Sequence, residues 1–185
     1  LHAAAGGVGL LATQLATLRG ARVLATVGSA EKERLARDAG AAEVIRYREL
    51  EDLTRDLPPL VRALTGDVGV RVAYDSVGKD TFEASLACVR PRGTLVLFGA
   101  SSGQVPPFDL QRLNAAGSLY VTRPSLGAYT QTRDELEWRA RELFDLVVAG
   151  TLRVRIGERF PLAAAADAHR ALESRATTGK VLLTV

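Results

Sequence analysis

Short apolar runs alternate with longer amphipathic segments along most of this chain. The runs are rich in β-branched residues, as strands buried on both faces are. The predicted strands are Arg22–Val27, Glu43–Tyr47, Val70–Asp75, Gly93–Gly99 and Ser118–Arg123. The helices predicted between them are Gly9–Arg19, Ala30–Ala39, Leu50–Leu64 and Thr81–Val89. This alternation predicts right-handed βαβ units and an α/β fold, in which helices cover both faces of an open parallel sheet.

The alternation breaks down near residue 124. The elements predicted beyond that point are a long helix over Thr132–Ala149, a strand over Val154–Ile156, a helix over Ala163–Glu173 and a strand over Lys180–Val185. We therefore predict a domain over residues 1–130 that contains the sheet. Residues 131–185 are predicted to form a tail that leaves this sheet.

Composition narrows the range of partners. Of the 185 residues, 47% are hydrophobic and 24% charged, as in an ordinary folded protein. No apolar run approaches the roughly 18 residues of a membrane helix, and the net charge of +3 is spread without a basic stripe. We therefore expect neither a membrane nor a nucleic acid as partner. The single cysteine, Cys88, fits a cytoplasmic location, and the start at Leu1 without any Met predicts that the chain opens inside a longer protein.

The most informative motif for function is the hexapeptide from Ala4 to Gly9, Ala-Ala-Gly-Gly-Val-Gly. It matches the dinucleotide-binding pattern G-x-G-x-x-G with Ala in place of the first Gly. In that pattern Gly6 allows close approach of a pyrophosphate, Gly9 packs the helix on the sheet, and the helix N-terminus offers free N–H groups. A Gly7→Val change should then block the pyrophosphate without a large loss of stability. A structural turn without a ligand is the alternative.

The end of the predicted strand Arg22–Val27 decides which dinucleotide fits. NAD sites place a carboxylate about 20 residues beyond the loop, but Thr26 and Val27 stand there. Gly28, Ser29 and Lys32 follow, and a hydroxyl with a nearby cation suits a 2′-phosphate. The sequence therefore predicts NADPH rather than NADH. The alternatives are a helix N-cap for Ser29 and a solvated charge for Lys32.

Several strings together resemble one family, the zinc-independent quinone oxidoreductases, which form the zeta-crystallin-like branch of the medium-chain dehydrogenase/reductase superfamily. They occur in the family's order and cover the whole chain. The strings are His2–Gly9, Thr26–Ser29, Tyr74–Gly78, Leu97–Gly99, Gly117–Pro124 and Glu173–Thr177. The resemblance implies a Rossmann-type doubly wound parallel sheet over residues 1–130. It also implies that residues 131–185 are a long helix and a return segment belonging with a GroES-like catalytic domain that this chain lacks.

The resemblance also implies a set of cofactor contacts, beyond Gly6 and Gly9 of the loop. They are Gly7 and Val8 at the pyrophosphate; Gly28, Ser29, Lys32, Tyr47 and Arg175 at the adenosine 2′-phosphate; Val77 at the adenosine half; Phe98, Gly99, Ala100 and Ser101 after the next strand; and Val121, Thr122 and Arg123 near the nicotinamide. The residue pattern alone does not select Tyr47 or Arg175, which also fit a surface aromatic and a solvated helix-end charge.

In this family NADPH delivers a hydride to a quinone or an activated alkene, and no protein nucleophile is required. No catalytic residue is therefore assigned, and no metal is expected. The resemblance further implies a homodimer that pairs through the strand at Gly117–Arg123. Two alternatives stay open, which are an enoyl reductase module of a polyketide or fatty-acid synthase and a non-catalytic NADPH-binding module.

Overall fold

The structure is a computed structural model that describes residues 1–174 and 176–185. The strands are β1 Leu24–Val27, β2 Glu43–Arg46, β3 Val70–Asp75, β4 Val89–Leu97, β5 Tyr120–Thr122, β6 Ile156–Pro161 and β7 Lys180–Thr184. The helices are α1 Gly9–Leu18, α2 Ala30–Asp38, α3 Leu53–Leu64, α4 Phe82–Cys88, α5 Gln111–Ala115, α6 Arg133–Val148 and α7 Ala165–Glu173. β3, β4 and β5 pair in parallel in that order, as do β6 and β7, and β1 pairs with β2. The predicted α/β class with parallel strands is confirmed.

One strand begins earlier than the sequence predicts. β4 starts at Val89 rather than Gly93, because Val89 pairs with Val70 of β3. Pro91 lies between the predicted helix Thr81–Val89 and the predicted strand Gly93–Gly99, but in the structure it is inside β4. The register shifts between Val70 and the next paired residue, so the strand passes the proline through an irregular stretch.

Two further differences lie in short elements. The strand predicted over Val154–Ile156 is β6, but β6 covers Ile156–Pro161. Its bounds differ because the residues that pair with β7 are Ile156–Pro161. Helix α5, over Gln111–Ala115, was not predicted at all. It is too short for a periodic signal, and the side chain of Asp109 accepts a hydrogen bond from the Gln111 amide at 2.9 Å just before its first turn.

The first of two compact units contains Leu1–Ala3 and Arg46–Gln131. Its core lies between the sheet β3–β4–β5 and helix α4, which packs on β3 and β4, while α3 packs on α4. The buried core residues are Ala73, Phe82, Leu86, Val89, Leu95 and Leu119. The amide of His2 donates to the carbonyl of Tyr74 at 3.0 Å, so the start of the chain lies along β3.

The second unit contains Ala4–Ile45 and Thr132–Val185, so residues from both ends of the chain pack together. The Gln14 side chain on α1 joins them, since it donates to the Arg153 carbonyl at 3.0 Å and accepts from the Arg153 amide at 2.8 Å. Helix α6 begins with a capping box between Thr132 and Glu135. The division of the chain into domains at residue 130 stays a prediction. Among the described residues, no helix combines the length and the apolar character needed to cross a membrane.

Candidate functional site

The glycine loop leads directly into helix α1. The helix begins at Gly9, and its N-cap residue Val8 is 55% exposed. The Leu10 amide donates to the Gly6 carbonyl at 3.0 Å, whereas no hydrogen bond among residues 1–174 and 176–185 uses the amide of Val8 or Gly9. Two N–H groups at the positive end of the helix dipole therefore stay available for an anion.

Gly7 is packed against the C-terminal part of the same unit. Gly6 forms a parallel bridge with Gly179, and the Gly179 amide donates to the Ala5 carbonyl at 3.1 Å. A Cβ on Gly7 would lie 2.9 Å from the Gly179 carbonyl oxygen and 3.0 Å from Cδ of Lys180. The expectation that Gly7→Val causes no large loss of stability conflicts with this packing, because the new side chain would collide with the backbone.

The residues expected at the 2′-phosphate lie just beyond β1. The Ala4 amide donates to the Thr26 carbonyl at 3.3 Å, which places the start of the glycine loop beside the end of β1. Ser29 is the N-cap of α2, and its Oγ accepts from the Lys32 amide at 3.3 Å, so the N-cap interpretation is confirmed. Lys32 lies in the first turn of α2 with a half-buried side chain, and Gly28 immediately precedes the cap.

The first unit gathers a second group of predicted residues. β3 ends at Asp75 and β4 at Leu97, and these two residues pair in register, as do Val96 and Thr122 of β4 and β5. Since the strands are parallel, the segments that follow them leave the sheet at one edge, where open α/β sheets bind ligands. The predicted residues at this edge are Val77, Phe98, Gly99, Ala100, Ser101, Val121, Thr122 and Arg123.

Asp75 organises this edge although the sequence prediction assigned it no role. Its side chain is fully buried. The carboxylate accepts from the Val77 amide at 2.8 Å and the Gly78 amide at 3.0 Å. It also accepts from the Thr81 hydroxyl at 2.7 Å and the Ser85 hydroxyl at 2.6 Å. An Asp that ends a predicted strand three residues before a Gly is the one signal that could have pointed to it.

The hydrogen bonds decide the charge state of this carboxyl group. Burial raises the pKa of Asp75, but the hydrogen bond from Ser85, the charge of His2 when protonated, and the bonds from Thr81 and Gly78 together lower it below the ordinary value. Burial lowers the pKa of His2 to about 4, so that side chain is uncharged at neutral pH. We conclude that the four donors, rather than His2, hold Asp75 ionised.

Two loops interlock above Asp75. The carbonyl of Val77 accepts from both the amide and the hydroxyl of Ser102, each at 2.8 Å. The Ser101 amide donates to the Ser76 carbonyl at 3.2 Å. A Cβ on Gly99 would lie 2.4 Å from the Ser76 carbonyl oxygen, so only glycine permits this approach. The loops after β3 and β4 therefore form one hydrogen-bonded platform, which we call the edge platform (residues 76–80 and 98–103).

The remaining predicted residues have different surroundings. The strand expected to reach Tyr47 ends at Arg46, because the Leu50 amide donates to the Tyr47 carbonyl and closes a 3₁₀ turn. Phe98 donates its amide to the Asp75 carbonyl, and its ring lies edge-on to Tyr74. On β5, Val121 and Thr122 are exposed, and so is Arg123 just after the strand. Arg175 lies outside the described residues.

The thiol and the metal-binding residue types offer no further chemistry. Burial raises the pKa of Cys88 to about 12, so the thiol stays protonated and behaves as a small apolar group. No group of three or more His, Cys, Asp or Glu side chains that could hold a metal ion occurs in the part of the chain that the structure describes.

Comparison with known proteins places the chain among dehydrogenases. Residues 7–142 match the family model described as zinc-binding dehydrogenase. The chain is 52% identical over 184 residues to a quinone oxidoreductase of Salmonella typhimurium, covering 98% of this chain and 55% of the relative. It is 41% identical over 184 residues to a 2-haloacrylate reductase of Burkholderia, covering 99% of this chain and 54% of the relative.

A solved structure agrees in fold as well as in sequence. The Escherichia coli quinone oxidoreductase complexed with NADPH superimposes with a TM-score of 0.93 at 50% identity, covering all of this chain and 56% of that one. The predicted resemblance is therefore confirmed. The chain spans about half the length of the relatives that it matches.

Proposed function

Since the chain belongs to the zinc-binding dehydrogenase family, we propose that it is the NADPH-binding part of a reductase, which transfers a hydride from NADPH to a quinone or an activated alkene. The observation that carries the proposal is the free first turn of α1 behind the glycine loop. This turn occurs in a chain whose relative from E. coli has a solved structure in complex with NADPH. Backbone N–H groups at a helix N-terminus are the usual ligands of a dinucleotide pyrophosphate.

Different parts of the candidate site bind different parts of the cofactor in this proposal. The amides of Val8 and Gly9 bind the pyrophosphate, and Ser29 with Lys32 binds the adenosine 2′-phosphate. The edge platform and the exposed residues Val121–Arg123 orient the adenosine and nicotinamide parts and exclude water from them. When bound, NADPH supplies the hydride, so the chain itself needs no nucleophile.

The proposed reaction includes no zinc, as the resemblance to the zinc-independent quinone oxidoreductases implies. The matched family is described as zinc-binding dehydrogenase, and the described residues contain no group of three or more side chains that could hold the metal. Zinc independence and a cytoplasmic location stay predictions.

The proposal includes a homodimer that pairs the Gly117–Arg123 segments of two copies. β5 supports it, because Tyr120 is 64% exposed and Val121 is 36% exposed. Within the described residues β5 pairs with β4 alone, so its outer side can accept another strand.

Two kinds of electron acceptor are consistent with the relatives, which include quinone oxidoreductases and a 2-haloacrylate reductase. We expect the complete natural protein to oxidise NADPH when 1,4-benzoquinone or 2-chloroacrylate is added, followed as the loss of absorbance at 340 nm. Calorimetric titration with NADPH alone measures binding in parallel. Tight binding without oxidation in the presence of either acceptor would overturn the reductase and favour a non-catalytic NADPH-binding module.

The preference for NADPH is expected to depend on Lys32. Lys32→Ala should weaken NADPH binding by about ten- to a hundredfold and leave NADH binding nearly unchanged, because only NADPH carries the 2′-phosphate and a charge-assisted contact contributes about 1.5–3 kcal/mol. The variant keeps the cap of α2, since Ser29 bonds to the backbone amide of residue 32. Calorimetry with both cofactors checks the prediction, with Lys32→Arg as the charge-retaining control. Equal losses for the two cofactors would rule out the role.

A further inference from the structure

We propose that Ser102 is a positioning residue for the cofactor, and that its hydroxyl holds the backbone of Val77 where the adenosine half of NADPH is proposed to bind. The inference rests on the proposed function and adds a residue that the sequence prediction did not include. Ser102 acts through Val77, so the inference requires no contact between the Ser102 side chain and the cofactor.

The hydroxyl of Ser102 joins the two loops of the edge platform. It donates to the Val77 carbonyl at 2.8 Å and accepts from the Asp80 amide at 2.9 Å. The Ser102 amide donates to the same Val77 carbonyl, also at 2.8 Å. One residue of the loop after β4 therefore binds the loop after β3 at two places, Val77 and Asp80.

Both backbone groups of Val77 are fixed as a result. Its amide donates to the buried carboxylate of Asp75 at 2.8 Å, and its carbonyl accepts the two bonds from Ser102. Val77 is thus held between the end of β3 and the loop that follows β4. A loop that already has its bound conformation loses less conformational entropy when the ligand binds, which strengthens binding.

The backbones of the two loops touch beside these bonds. A Cβ on Gly78 would lie 2.7 Å from the carbonyl oxygen of Gly103 and 3.1 Å from Cα of Ala100. The Lys79 amide donates to the same Gly103 carbonyl at 3.2 Å. The half-buried Ser102 side chain therefore lies within a close backbone contact, where its hydroxyl can set the orientation of the neighbouring peptide groups.

Removal of this hydroxyl should loosen Val77 without unfolding the platform. The Val77 carbonyl keeps the bond from the Ser102 amide, and Asp80 is exposed, so water can replace the lost acceptor for its amide. Asp75 differs in this respect, because its four donors share one buried acceptor. We therefore expect the main effect of Ser102→Ala on cofactor binding rather than on folding.

The test compares the complete natural protein with its Ser102→Ala variant. We expect the Kd of NADPH in calorimetry, and its KM in NADPH oxidation, to rise about three- to tenfold, the effect of losing one hydrogen bond. The kcat should stay nearly unchanged, because hydride transfer is the chemistry of the cofactor itself. The ligand 2′,5′-ADP has the adenosine and the 2′-phosphate but no nicotinamide, so its Kd should rise by the same factor as that of NADPH.

Two further variants serve as controls. Ser102→Thr keeps the hydroxyl and should retain most of the NADPH affinity. Thr65→Val removes a comparable hydroxyl before β3, at the end of that strand away from the edge platform. This hydroxyl donates to the Val61 carbonyl at 2.7 Å and accepts from the Gly69 amide at 3.0 Å. We expect Thr65→Val to change neither affinity, even if it unfolds at a lower temperature.

The outcomes separate this inference from the proposed function. If the natural protein does not bind NADPH, the proposed function itself fails. If it binds NADPH and Ser102→Ala binds it equally well, the role of Ser102 is overturned. Weaker binding of NADPH with unchanged binding of 2′,5′-ADP would also overturn it, because the effect would then lie outside the adenosine half. Should Ser102→Ala prove unstable in thermal unfolding, Ser102→Cys replaces it with the same expected direction, since a thiol is a weaker hydrogen-bonding group.

Discussion

Replacing Asp75 with Ala is expected to lower the free energy of unfolding by about 3–5 kcal/mol. The change leaves the amides of Val77 and Gly78 and the hydroxyls of Thr81 and Ser85 without the acceptor they share. All four donors lose a charged partner in a buried place, where water does not replace it. Urea unfolding followed by circular dichroism measures the loss.

Asp75→Asn is the control for this prediction. Its amide oxygen can accept from the two backbone N–H groups, and its NH₂ group can donate to the two hydroxyls, so we expect less than half of the loss. Because the pKa of Asp75 is lowered in the folded state, its charged form contributes stability at neutral pH. That contribution is lost as the pH falls below the ordinary value of 3.8. If Asp75→Ala unfolds at the urea concentration of the natural protein, the carboxylate does not hold the edge platform.

The second large effect is expected for Gly7→Val. The new Cβ would stand 2.9 Å from the Gly179 carbonyl oxygen and close to the Lys180 stem, so either the glycine loop or β7 must move. Overpacking of this kind costs about 1–3 kcal/mol of stability. We also expect NADPH binding to fall below detection in calorimetry, because the displaced loop carries the amides of Val8 and Gly9.

Gly127→Val serves as the matched control. Gly127 lies in an exposed 3₁₀ turn, its nearest non-neighbouring atom to an added Cβ is Oγ of Ser125 at 3.8 Å, and its φ is not in the left-handed region. The same substitution there should leave the unfolding temperature and NADPH affinity nearly unchanged. If Gly7→Val were destabilised but still bound NADPH normally, the glycine loop would be a structural turn only.

Local patterns in the sequence predicted much of the candidate site. The loop glycines and the Ser29 cap depend on residues a few positions apart. Such local motifs can be recognised in the sequence without knowledge of the fold. The role of Asp75 was harder to predict from the sequence. Ser85 lies ten residues away on the next helix, and it reaches the carboxylate only because α4 packs on β3. The interlocking of Ser76 and Val77 with Gly99–Ser102 likewise depends on the pairing of β3 with β4.

The sequence by itself determined the α/β class, the order of the strands and of every helix except α5, and the position of the dinucleotide loop, because each depends on periodicity or on a short glycine pattern. Only the tertiary structure decided what surrounds that loop. Gly7 and Lys180 are 173 positions apart, and no local pattern links them. Their contact exists because the parallel pairing of β6 and β7 and the bridge from Gly179 to Gly6 bring the last strand against the first turn of the chain.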